Sequence, residues 1–186
     1  MLETYLSSCR KQFEYYKVLG EKTIQALKDE ELFVSLGSNS NSIGIIVNHL
    51  WGNMLSRWTD FLNEDGEKTW RKREEEFEDI IQDRKELVRK WEEGWACLFK
   101  ALDCINEENF DQIVYIRNIG HTIPEAINRQ LCHYAYHIGQ IVFIGKGIQG
   151  EDWQSLSIPK GQSKQYNEKR FANPKRKGHF TDDLMK

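Results

Sequence analysis

Apolar residues recur at three- and four-residue steps along most of the chain, a rhythm that only helices buried along one face satisfy. Leu2, Leu6, Cys9, Phe13, Tyr16, Thr23 and Leu27 predict a first helix of about seven turns, weakened but not ended by Gly20. The polar stretch Gly37 to Ser42 supplies caps for a second helix, from about Ser42 to Leu62, with Ile43, Ile46, Leu50, Met54, Trp58 and Phe61 as its core stripe. Asn63 to Lys68, with Asp65-Gly66, reads as a connection, and Arg71 to Glu76 as an exposed charged run. Phe77, Ile80, Ile81, Leu87, Trp91, Trp95, Leu98, Leu102 and Ile105 predict one long third helix, with Gly94 a minor interruption.

The segment Phe110 to Ile116 is short and β-branched, so it reads as extended or irregular. Gly120, His121 and Thr122 read as a turn. Thr122-Ile123-Pro124-Glu125 then has the order of a helix start, with an N-cap hydroxyl, proline in the first turn and a capping-box carboxylate. The fourth helix runs to about Lys146 and ends at Gly147. Four such helices in a chain of 186 residues, 39% of them hydrophobic, suit one core. The expected fold is all-α: an up-and-down four-helix bundle over residues 1–148, followed by a C-terminal extension over 149–186.

Charge excludes some functions. The net charge is −3, with residues 1–148 at −6 and the remainder at +3, which leaves no global field for non-specific nucleic-acid binding. The basic cluster Lys169, Arg170, Lys175, Arg176 and Lys177 reads as a solvated tail. No apolar run approaches the ~20 residues of a bilayer span, and the first residues carry no signal-peptide pattern, so a soluble cytoplasmic protein is expected. Cys9, Cys97, Cys104 and Cys132 lack Cys-x-x-Cys spacing and read as reduced thiols, mostly in the core. Trp51, Trp58, Trp91 and Trp95 read as core or dimer-interface residues.

The features that carry chemistry are histidines. His133 and His137 stand four apart in the fourth helix, a step that rotates by only about 40° and rises about 6 Å, so both rings can reach one atom. They lie among Ile127, Leu131, Tyr134, Ile138 and Ile141, where each ring nitrogen needs a buried partner. His49, flanked by Val47 and Leu50 in the second helix, is the third candidate. Three inward histidines form a ligand set for a divalent ion with an open coordination position. A single buried histidine is more often a hydrogen-bonded core residue, and that reading competes for each of them. Asn53, one turn after His49, and Gln130 and Gln140, each three residues from a helix-four histidine, are candidate polar supports or substrate contacts, with solvent-facing or interhelical positions as the alternative. Cys132 points about 100° from His133 and is a poor ligand, while His121 and His179 read as surface residues.

A histidine in the second helix, His-x-x-x-His in the fourth, and the stretch from Glu125 to Ile141 (EAINRQLCHYAYHIGQI) resemble the DinB-like superfamily of bacterial metalloenzymes. The resemblance covers about residues 1–148. Ser157 to Ser163 (SIPKGQS) is similar to a subgroup from Bacillus-type bacteria that is only a domain of unknown function. The resemblance implies nickel, zinc or another divalent ion on His49, His133 and His137, and a homodimer. It also implies, for some members, transfer of low-molecular-weight thiols such as bacillithiol or mycothiol to small-molecule substrates, or isomerisation. The expected function is therefore a metal-dependent enzyme, with thiol transfer favoured over hydrolysis; the alternative is a non-catalytic metal- or ligand-binding bundle acting through a partner.

Overall fold

A computed structural model describes residues 2–184. Among these the chain is mostly helical: α1 (Leu2–Ala26), α2 (Ile43–Trp58), α3 (Arg84–Asp103), α4 (Ile123–Gln149) and α5 (Ser163–Phe171), with strands β1 (Ile113–Ile116) and β2 (Ile119–Thr122). The four longer helices enclose one hydrophobic core, in which α2 packs on α3 and α4, and α1 on α4 and α3. Phe13, Leu50, Leu87, Trp95, Leu98, Ile127, Tyr134 and Ile138 are fully buried there. Trp58 and Trp91 are buried with them, and Trp51 is half-buried. Gly20 has a packing reason, since a Cβ there would lie 2.3 Å from the tip of Trp91.

Caps set the helix starts. Ser42 accepts from the Ile45 amide, and Thr122 and Glu125 form the expected capping box with Pro124 in the first turn. Other boundaries differ from the sequence reading. Helix α2 stops at Trp58, short of Leu62, and Asp60 just beyond has φ 44°. The third helix begins at Arg84 rather than Phe77, because the Asp83 carboxylate caps the Glu86 amide at 2.8 Å. Phe77 instead ends a 3-10 turn, Glu74–Phe77, and Ile81 reaches the core from irregular chain. The charged run ending at Glu76 is not simply exposed: Glu76 is buried and the Arg71 side chain nearly so.

Gly120 to Thr122 is a strand rather than a turn. It pairs antiparallel with β1, Val114 opposite His121, and the turn falls at Arg117-Asn118. Cys9 is buried and Cys97 half-buried, but Cys104 and Cys132 are exposed, so only half of the thiols belong to the interior. The segment after Gly150 lies against the helices. Trp153 is half-buried beside Gly145, Leu156 and Tyr166 are half-buried, and Ile158 is exposed. His179 is likewise half-buried rather than a plain surface residue, with Nε2 3.1 Å from Ser8 Oγ, and Asp182 takes a hydrogen bond from Lys11. No helix among the described residues is long and apolar enough to cross a membrane.

Candidate metal centre

Helices α2 and α4 bring His49, His133 and His137 together. His49 Nε2 lies 3.3 Å from His133 Nε2, which lies 3.1 Å from His137 Nε2. Ligands held at about 2.0–2.1 Å around one tetrahedral ion stand roughly 3.3 Å apart, close to these two separations, and all three ligand atoms lie within 4.8 Å of one another.

The outer ring nitrogens decide what the inner ones can do. His49 Nδ1 is 2.9 Å from Glu76 Oε2, an acceptor-only group, so Nδ1 carries a proton, and in the neutral ring that coordinates a metal Nε2 presents the lone pair. His137 Nδ1 donates to Gln140 Oε1 at 2.8 Å, so its Nε2 also presents a lone pair. His133 Nε2 sits between them with at most one proton, while its Nδ1 is buried without a hydrogen-bond partner. One proton cannot satisfy two facing lone pairs at once. A cation among the three nitrogens satisfies all of them, and the donor set therefore fits a divalent metal.

Electrostatics favour the ligand form. Burial first, then the neighbouring His137 and His49, push His133 down to about 3. Burial and His49 push His137 down to about 4, against a small upward effect of Gln140. Both rings are neutral near pH 7 and free to coordinate.

The sequence reading missed Glu76. Burial raises its carboxyl, but hydrogen bonds from Arg71 and His49 and the Arg71 charge outweigh burial and hold it below the usual carboxylate range. Arg71 grips it in bidentate fashion, Nε to Oε1 at 2.7 Å and Nη2 to Oε2 at 2.8 Å. Asn48 fixes the 3-10 turn from above, donating to the carbonyls of Glu75 and Glu76 at 3.2 Å each and accepting from Lys90 at 2.7 Å. Phe77, expected in a helix, stacks on the His49 ring with centroids 4.7 Å apart. One signal of this arrangement was in the sequence: Gly52 in mid-helix, three residues after His49. A Cβ there would meet Glu76 Oε1 at 2.5 Å, so only glycine leaves room for the carboxylate.

Asn53 and Gln130 are buried and bond each other rather than a histidine: Asn53 Oδ1 accepts from Gln130 Nε2 and from Tyr134 Oη, both at 3.2 Å. Trp58 in turn donates to Tyr134 Oη at 3.0 Å. Gln140 alone of the three amides contacts a candidate ligand. The three histidines, Asn53 and Gln130 line a cleft of about 400 Å³, with Phe77, Tyr136 and five arginines around them. Among the described residues, this trio is a group of histidines, cysteines or carboxylates able to hold an ion, with its ligand atoms all within 4.8 Å of one another. Cys132 is exposed and outside it. His121 sits in β2, where its Nδ1 donates to the Ile119 carbonyl.

Helices placing a half-buried three-histidine cluster under an open cleft define a candidate metal-binding protein. The sequence pattern of DUF1572, a protein family of unknown function, matches residues 1–162, and the chain belongs to that family. No curated protein and no solved structure matches it.

Proposed function

We propose that this chain is a divalent-metal-dependent enzyme built on a DinB-like four-helix bundle, with nickel or zinc on His49, His133 and His137. The observation that carries the reading is the convergence of three Nε2 atoms, two of them set as lone pairs by Glu76 and Gln140. A bound divalent ion supplies Lewis acidity and lowers the pKa of a thiol or water. The chain's own residues do the rest. Glu76 holds the proton on His49 Nδ1, Gln140 holds that on His137 Nδ1, and Asn53 with Gln130 forms a fixed polar wall beside them.

The cleft over the histidines favours an enzyme over a sealed binding module, since a small substrate has access to the open side of the ligand set. The favoured chemistry is attack by a low-molecular-weight thiol of the bacillithiol kind on a small electrophile. A homodimer in a reducing, cytoplasmic setting completes the proposal. It is supported by Tyr136 and Phe143, exposed on α4 on either side of Gly139, and by four unpaired thiols.

The test is turnover of monochlorobimane with bacillithiol, by protein purified without a histidine tag and loaded with zinc or nickel. Thioether fluorescence above the uncatalysed rate, abolished in His133→Ala, is the expected result. No turnover with either metal favours the non-catalytic binding bundle.

A further inference from the structure

The protein is acidic overall, yet the cleft above the histidines is lined by Arg57, Arg71, Arg73, Arg117 and Arg129 and, among the described residues, by no carboxylate. These arginines fall into two groups. Arg57 and Arg71 are buried and spent on structure: Arg57 on the Gly66 carbonyl and Glu67, Arg71 on Glu67 and Glu76. Arg73, Arg117 and Arg129 stand at the rim with exposed side chains.

The rim arginines come from three separate segments, and each has a partner of its own, Arg73 Nη1 donating to Glu74 Oε1 at 3.2 Å. Arg129 Nη1 donates to His121 Nε2 at 3.2 Å, an acceptor because His121 Nδ1 donates to the Ile119 carbonyl. Arg117 occupies the hairpin turn at φ 55°, with Asn118 at 60°. That left-handed turn favours Asn or Gly at both positions, and an arginine at the first is a poor local choice. The Asp65 carboxylate takes the amides of both Arg117 and Asn118 at 2.8 Å, and Arg117 Nε donates to Glu67 at 3.1 Å, which pins the strained turn beside the cleft. A residue that breaks a local rule and is then anchored in place is where a functional role is to be sought.

We propose that the cleft is an anion-binding site in which Arg73, Arg117 and Arg129 hold a carboxylate or phosphate group of a small substrate whose other end reaches the three histidines. Planar guanidinium forks suit such groups, and a concave basic surface concentrates them from solution. This assignment rests on the proposed metal centre for what happens at the far end, but the rim arginines are independent of it.

The probes are malonate and inorganic phosphate, titrated calorimetrically into zinc-loaded and metal-stripped protein. The two arms distinguish a carboxylate from a phosphate preference. At least one anion is expected to bind both forms, with affinity falling as salt rises and at least ten-fold weaker in the Arg73→Gln, Arg117→Gln, Arg129→Gln triple variant. Arg117→Asn, which suits the turn better, is expected to raise the thermal midpoint while weakening the same anion. No binding of either anion, equal affinity in the triple variant, or binding that vanishes on stripping yet ignores the arginine changes would each overturn the proposal. Arginine-dependent binding in a protein that takes up neither zinc nor nickel on loading would leave the anion site standing and refute the metal centre.

Discussion

Replacing Gly52 with alanine sets two physical effects of opposite sign against each other. In an ordinary helix interior the change stabilises by about 1 kcal/mol, because glycine carries the larger entropy cost on folding. Here the new methyl would stand 2.5 Å from Glu76 Oε1, 2.8 Å from Cδ and 3.0 Å from Cγ. These contacts are too short to keep, and the carboxylate cannot move without loosening its bidentate bond to Arg71 and its bond to His49 Nδ1. Each charge-assisted hydrogen bond contributes about 1.5–3 kcal/mol, and disrupting a buried pair costs about 3–5 kcal/mol. The net expectation is a loss of about 1–3 kcal/mol in urea unfolding, together with a roughly 10–100-fold loss of zinc affinity as His49 loses the group that fixes its proton. A Gly52→Ala protein that is more stable by about 1 kcal/mol and binds zinc as tightly as the parent would refute the role given to Glu76.

Other expectations follow from the same geometry. His133→Ala should lose most bound metal in equilibrium dialysis while His121→Ala keeps it; equal retention would count against the ligand assignment. In metal-free protein, His133 and His137 titrate at about 3 and 4 when folded, against about 6.5 when unfolded. Their contribution is therefore complete above pH 6.5 and is lost as pH falls toward the folded values. The urea midpoint should drop between pH 7 and 5, and a flat profile would contradict the burial of neutral rings. Light scattering at micromolar concentration should give twice 22.0 kDa; the monomer mass would remove the dimer. Limited proteolysis should spare the chain before Trp153, and rapid cleavage there would show that the extension does not stay packed.

The parts of this protein that were legible in the sequence are those governed by periodicity and capping. The start of α4 was readable because Thr122, Pro124 and Glu125 are local signals, and the histidines because helical spacing dictates where their rings point. The segment from Arg71 to Asp83 was misread for a physical reason. Phe77, Ile80 and Ile81 copy helical spacing, but the Asp83 cap and the buried Arg71–Glu76 pair hold the chain in a 3-10 turn and extended residues. Glu76 has no periodic partner, and only Gly52, distant in sequence, records its place. The rim arginines come from a loop, a hairpin turn and a helix, so no single window of sequence contains them.

Three histidine nitrogens converging on one cation make this protein a metal binder. Elemental analysis of protein expressed without a histidine tag and purified without chelators, alongside His49→Ala, His133→Ala and His137→Ala, tests that convergence. About one nickel or zinc per chain in the parent, and markedly less in each variant, is the predicted result. A parent that carries no divalent metal and does not take up zinc or nickel on titration would contradict it.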